Sequence, residues 1–394
     1  MNYLNELEFS ENQINTINSV MAAILNLGEA RFCGNENCLA ELDNTEVITY
    51  FSDLLEIENK KICWALTNYC LIRGGNAIRK RNTCEEARDT RDVLANNLYT
   101  RLVDYIIGII NNKLGEKYSI KILDYFGFEC FKQNNLSQFL VNCLNEQLHY
   151  HFLQRIFSWE ILDLQNEEVE YTPIKYYSNR VTLNELLGKP EGVLSIIDDA
   201  SKKGLNGRYV IGNMHHQERS KVKITDDLEF SVTHYTGKVS YNVREIPEKN
   251  RDFLSPEVIE TLRNSQNPII SMLFTNKLDK NGNLCIPVDE VKRNKYSFTS
   301  KTSVNNQFSQ IKKMRTQATI FRALCLDLLK ELSVGSGSGG THFVRCIRTD
   351  LKRRPQHFQK ELIRQQLRAM AVLETAKARQ QGYPHRISFP EFLR

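Results

Sequence analysis

No G-x-x-x-x-G-K-[ST] sequence occurs anywhere in the 394 residues. The chain therefore lacks the lysine and the magnesium-ligating hydroxyl that a phosphate-cradling loop brings to nucleotide hydrolysis. Its ten cysteines form no C-x-x-C pair, and the N-terminus MNYLNELEF has no basic-then-apolar pattern. A disulfide-stapled secreted domain is thereby excluded, and reduced thiols in the cytoplasm are expected. The longest strongly apolar run, at residues 105–110, falls far short of the roughly 18 residues a membrane span requires. His215 and His216 are adjacent, so they cannot share a helix face as ligands do, and no metal site is expected there. Gly335, Gly337 and Gly340 satisfy G-x-G-x-x-G in letters, but they follow a helical pattern and precede an apolar strand pattern at 342–347. That is the reverse of the strand-then-helix order of a dinucleotide site, and a connector is expected instead.

Hydrophobic residues make up 41% of the chain, enough for a real core spread over two or three domains. The net charge is +5, and its distribution matters more than its size. Residues 275–316 hold nine basic side chains, Lys277, Lys280, Lys292, Arg293, Lys295, Lys301, Lys312, Lys313 and Arg315, against three acids. This stretch has no helical period and few large apolar residues, the pattern of a basic surface loop. Base-stacking aromatics there are limited to Tyr296, Phe298 and Phe308. No nucleic-acid module surrounds them, so beyond its charge nothing in this stretch favours a nucleic-acid partner.

The chain is organised around Lys121 to Glu129, KILDYFGFE. Ile122, Leu123, Tyr125 and Phe126 form a run suited to a buried strand and too short for a helix. Asp124 can hold a magnesium-bound water, Gly127 lets a backbone N–H approach an anion closely, and Glu129 adds a second carboxylate. On these residues alone a γ-phosphate sensor and an ordinary strand-ending turn are both open. From Leu136 to Phe157 apolar residues recur at three-and-four spacing, which predicts a helix about 33 Å long leaving the turn directly.

Elsewhere, Ser10 with Gln13 is a capping-box signature for a helix that stops at Gly28. Further helices are expected at 46–55, 61–73, 85–114, 250–274, 320–332 and 359–381, with a loop at 29–44 and an irregular stretch at 160–181. Alternation from Phe230 to Val243 around Thr236-Gly237 predicts a hairpin. Arg88, Asp89, Arg91 and Asp92 read as a salt-bridged, solvated helix face.

DYFGFE with CFKQNNLSQFLVNCLNEQLHYHF resembles the second switch and relay helix of the myosin motor domain. Asp124, Gly127, Phe128, Glu129, Phe131, Asn134, Gln138, Asn142, Asn145, Glu146 and Phe152 stand on the family's positions. Further similar stretches are AAILNLG, EARDTRDVLANNLYTRLVDYI, GKPEGVLSIIDDA, VTHYTGKVSYNV, FVRCI and QLRAMAVLETAKARQQGYPHRISFPEFL, so the likeness covers nearly the whole chain. It implies an α/β, predominantly helical chain, part of a P-loop NTPase-type motor with a central twisted sheet and a long relay helix. It also implies a division into a helical upper region (1–120), the second switch, relay helix, lower actin-binding region and sheet strands (121–274), the basic loop (275–316), the helix, strand and joint helices (317–382) and the start of the converter (383–394).

The same resemblance implies a function: an actin-based motor in the cytoplasm that turns over ATP with Mg2+ in the complete protein. Gly127 and Glu129 would be catalytic, with Asp124 and Gly127 toward the nucleotide. Gly192, Val193, Leu194 and Ile197 would present an apolar contact to actin, with Lys202, Lys203 and the basic loop beside them. The chain departs from the family at several places. It has no first switch of the NxxSSRFG kind, so Glu129 lacks its arginine partner. Tyr171 stands where the relay loop usually has tryptophan, and Thr349-Asp350 replaces a Pro-Asn pair. Ala371 and Thr375 replace two glycines of the joint, and Ala369 and Arg379 its two reactive cysteines, which predicts a stiffer joint. Three readings follow: part of a working motor, a non-catalytic actin-binding protein, or a decayed motor with unpaired sheet edges.

Overall fold

A computed structural model describes residues 2–34, 39–73, 76–114, 120–214, 219–286, 316–334, 341–352, 354–382 and 387–393. The chain divides into two units, each discontinuous in sequence: Met1–Leu123 with Arg251–Ile320, and Asp124–Asn250 with Phe321–Arg394.

The first unit opens with α1 (Asn2–Glu6) and α2 (Glu11–Gly28). Ser10 and Gln13 close the expected capping box, and the i, i+3 face of Ile14, Ile17, Val20, Ala23 and Leu27 is buried. The expected loop at 29–44 contains a short antiparallel pair, β1 (Phe32–Gly34) and β2 (Ala40–Leu42). Next come α3 (Thr45–Leu54), α4 (Asn59–Thr67), β3 (Asn68–Arg73), β4 (Asn76–Arg81) and α5 (Cys84–Leu114). The helix expected through Arg73 therefore stops at Thr67. Asn68 Nδ2 turns back onto the Trp64 carbonyl at 3.0 Å, and the backbone beyond pairs antiparallel with β4. On α5, Leu94, Leu98 and Leu102 are buried with Phe51, Leu55 and Leu66, so one core joins α2 to α5.

The second unit begins at the turn. α6 (Leu136–Leu153) runs on through a π-helical segment (Gln154–Trp159) into α7 (Glu160–Asn166), where an irregular stretch was expected. α8 (Arg180–Leu187), α9 (Val193–Lys203) and α10 (Gly207–Gly212) follow. The hairpin is present as β6 (Glu229–His234) and β7 (Gly237–Asn242), with β5 (Val222–Asp226) added to form a three-stranded antiparallel sheet. Phe230 and Tyr241 are register partners, and α6 seats Phe139 against both, with ring centroids 5.9 and 5.3 Å away. A short α11 (Ile246–Asn250) ends this passage.

The chain then returns to the first unit with α12 (Pro256–Arg263) and α13 (Pro268–Thr275), each capped by a side-chain acceptor and started by proline. α14 (Gln317–Val334) follows, and the second unit is completed by α15 (Lys360–Ala369), α16 (Val372–Gln381) and α17 (Phe389–Phe392). The single helix expected at 359–381 is broken at Ala371, whose φ of 54° is left-handed.

The expected central twisted sheet is not formed among the described residues. Residues 120–130 and 341–348 are assigned neither strand nor ladder partner. Ile122 and Phe126 are 90% and 77% exposed. An apolar, β-favouring run becomes a strand only when a neighbour takes its N–H and C=O groups and a layer covers its face. Among the described residues no strand pairs with either segment: side chains hold their backbone instead, Asn142 and Asn145 at Glu129 and Phe126, and Gln366 at Arg348.

Candidate functional site

Asp124 and Gly127 face solvent and Glu129 is half-buried. What fixes this turn is not a sheet but α6. The Asn142 carboxamide accepts the Glu129 N–H at 2.8 Å and donates to the Glu129 carbonyl at 2.7 Å. One turn on, Asn145 Nδ2 donates to the Phe126 carbonyl at 3.1 Å. Asn134 repeats the double grip on Phe131, at 2.9 Å in each direction, and also donates to the Ser240 carbonyl of β7 at 3.0 Å. Asn135 and Gln138 then form a capping box that starts α6 at Leu136. The backbone of the turn is thus tied to one helix by two asparagine side chains one turn apart, so motion of either is passed to the other.

Behind this grip lies a buried polar chain. Asn142 Nδ2 also donates to Tyr241 Oη at 2.7 Å, and Tyr241 Oη lies 2.8 Å from His234 Nε2. His234 Nδ1 lies 2.9 Å from Glu146 Oε1, with both side chains fully buried. Glu146 further accepts the Tyr235 N–H at 3.1 Å and bonds of 2.5 and 2.9 Å from Asn179 Nδ2, to its carboxylate and carbonyl. Phe128 sets its ring edge-on to His234 at 4.9 Å, which places the turn's aromatic over the same cluster.

Further along α6, His149 stacks on Tyr235 at 4.1 Å, and burial, with the nearby Arg345 guanidinium, pushes its imidazole down to about 3. Arg345 itself covers the Phe152 ring at 4.1 Å. At the distal end, Phe157 stacks on Tyr176 at 4.4 Å, and Arg379 of α16 holds Glu160 of α7. Glu167 accepts the Phe389 N–H at 3.0 Å. The helix therefore has the turn at one end and α16 and α17 at the other.

The filament-facing candidates are placed less uniformly. Val193, Leu194 and Ile197 are buried in the core of the second unit, so they do not present the apolar contact expected of them. At hydrophobic positions on the inner face of an amphipathic helix, burial is the stronger tendency. Gly192 caps α9 where a Cβ would lie 2.5 Å from the Gly188 carbonyl, so the glycine is required by packing. Lys202 and Lys203 are exposed and paired one helical turn back, with Asp198 at 2.5 Å and Asp199 at 2.7 Å. Lys277 and Lys280 are exposed. Lys292, Arg293, Lys295, Lys301, Lys312, Lys313, Arg315, His215 and His216 lie outside the described residues. Among the described residues no His, Cys, Asp or Glu group could hold a metal, and no helix is long and apolar enough to cross a membrane.

Sequence reasoning placed Asn142, Asn145 and Glu146 without giving them work, read His234 and Tyr241 only as positions of the hairpin's buried face, and passed over Asn179. The available signal was polarity on a buried face: Asn142, Asn145 and Glu146 interrupt the apolar period of α6 at i, i+3 and i+4.

The family model described as "Myosin head (motor domain)" matches residues 1–394. The protein "Neither inactivation nor afterpotential protein C" of Drosophila melanogaster is 42% identical over 404 residues, covering 100% of this chain and 27% of its own length. Human Myosin-IIIa is 35% identical over 418 residues, covering 98% and 25%, and the Myosin-I heavy chain of Dictyostelium discoideum is 30% identical over 405 residues, covering 99% and 16%. The chain spans about a quarter of the length of the first two of these relatives.

Proposed function

The chain belongs to the myosin motor-domain family, and from that premise we propose that its residues form the transmitting and filament-facing part of an actin-based motor of the P-loop NTPase type. The observation that carries this reading is the grip of Asn142 and Asn145 on the backbone of Phe126 and Glu129. A rigid helix tied at one end to an acid-and-glycine turn and at the other to α16 and α17 converts a small displacement of the turn into a displacement of the joint helices.

The residues described do not by themselves make a site for ATP with Mg2+. Asp124 and Gly127 offer one carboxylate and one amide on an exposed turn, and the sequence holds no phosphate-cradling lysine or hydroxyl. In this proposal Asp124 and Gly127 face the γ-phosphate and Glu129 positions water. They act only with a phosphate-cradling loop from outside residues 1–394. A second reading is a chain that binds actin statically without turnover, through its exposed lysines Lys202, Lys203, Lys277 and Lys280.

Actin contact is assigned to the basic stretch Lys277 to Arg315, together with Lys202 and Lys203, in the cytoplasm at the actin cytoskeleton. Lysines facing an acidic filament accelerate encounter and are screened by salt. Co-sedimentation of the chain with filamentous actin should therefore show affinity falling on the order of tenfold from low to physiological ionic strength. A salt-insensitive complex, or none at low salt, overturns the assignment, and a salt-sensitive complex that ATP leaves unchanged selects the static reading.

A further inference from the structure

We propose that His234 and Tyr241 are positioning residues for the second-switch turn, acting through Asn142 and set by the carboxylate of Glu146; this rests on the motor reading above. The argument is one of proton bookkeeping. The Asn142 carboxamide has a single acceptor oxygen, and the Glu129 N–H takes it at 2.8 Å. Its two amide protons go to the Glu129 carbonyl and to Tyr241 Oη, both at 2.7 Å. The Tyr241 oxygen accepts there, and in this proposal its own proton goes to His234 Nε2, 2.8 Å away. That nitrogen then carries no proton, so the imidazole bears its hydrogen on Nδ1 and donates it to Glu146 Oε1 at 2.9 Å. Glu146 is a pure acceptor when ionised, and it ends the chain by also taking the Tyr235 N–H and the Asn179 amide.

The direction of every bond follows from that terminal carboxylate. Reversing it would turn the Asn142 oxygen toward the Glu129 carbonyl and the Asn142 amide toward the Glu129 N–H, leaving two repulsive contacts at a buried side chain. Asn142 is fully buried, so water cannot rescue the wrong orientation. The second switch is thus held in one geometry by four side chains from α6, β6 and β7, of which Asn142 alone hydrogen-bonds its backbone while His234 meets its Phe128 ring.

Two measurements on the whole 394-residue chain, both without nucleotide or actin, test this. Imidazole 15N shifts should show a pyrrole-type Nδ1 and a pyridine-type Nε2 at His234. Tyr241→Phe keeps the ring against Phe139 and Phe230 but removes the hydroxyl, and it should speed exchange of the Glu129 amide on the order of tenfold while the Leu148 amide in the middle of α6 is unchanged. A loss of packing alone would speed both amides. A protonated Nε2 in the wild type, or an unchanged Glu129 amide in the variant, overturns the proposal. Should Tyr241→Phe not fold, the wild-type tautomer still decides. Neither readout depends on filament binding, so failure of the actin assay with the Nδ1–H tautomer intact would sink the motor reading alone.

Discussion

Arg379 grips Glu160 with both guanidinium arms, Nη1 to Oε2 at 2.8 Å and Nη2 to Oε1 at 2.7 Å. The pair ties α16 to α7. Bidentate geometry strengthens such a pair, while the 43% and 22% exposure of the two side chains leaves it open to solvent screening. Arg379→Gln is therefore expected to lower unfolding free energy by no more than about 1 kcal/mol, with the difference shrinking at high salt. A loss that persists at high salt would show that Arg379 contributes by packing rather than by charge.

Ala371 sits between α15 and α16 at φ 54°, buried against the cluster of Phe152, Leu153 and Phe157. A non-glycine residue there costs about 1–2 kcal/mol. Replacing it by glycine relieves that strain but adds freedom to the unfolded chain, roughly 0.4–1 kcal/mol, and removes a buried methyl of about 0.8 kcal/mol. These nearly cancel, so Ala371→Gly should leave global stability within about 1 kcal/mol. Its effect should instead be local, as faster amide exchange at Val372 and Leu373. Unchanged exchange there would refute the view that the alanine stiffens this joint.

What could be read in the sequence follows the distinction between local and remote causes. The helices α2, α5 and α6 and the hairpin β6–β7 were legible because period and capping residues lie within the segment itself, as in Ser10 with Gln13. The run Ile122 to Phe126 was misread as a strand because a ladder depends on a partner remote in sequence. Likewise, α16 begins at Val372 because Ala371 adopts a left-handed φ, which no alanine announces in its letters. The turn itself was visible in Asp124, Gly127 and Glu129. The chain from Glu129 to Glu146 was not, since it joins residues up to 112 positions apart across Asn142, Tyr241 and His234.

Burial pushes the Asp89 carboxyl up to about 6, against the pull of Arg251 Nη1 at 3.6 Å and with help from Glu85, Asp92 and Glu86. A carboxylate raised on folding binds more protons in the folded state between its unfolded value of 3.8 and about 6. Stability in that window therefore falls as pH rises. Asp89→Asn removes this titration. The urea midpoint of the wild type should decline from about pH 4 to about pH 6, and that of Asp89→Asn should decline less. Parallel profiles would mean that Arg251 dominates and the aspartate stays ionised.

Gly127 offers the sharpest separation of folding from function. A Cβ built at this position meets nothing within 4 Å, and its φ is not left-handed. Alanine is thus accommodated by the turn, and Gly127→Ala should change unfolding free energy by no more than about 0.5 kcal/mol. On the proposed motor reading, the methyl would nonetheless occupy the space through which the Gly127 N–H would approach a phosphate oxygen. In a chain that carries a phosphate-cradling loop, the variant should fold normally and bind actin with unchanged affinity, yet lose the acceleration of ATP turnover by filaments. Full actin-activated turnover in a folded Gly127→Ala protein would remove this turn from the nucleotide site and leave the grip of Asn142 and Asn145 as a purely structural tie.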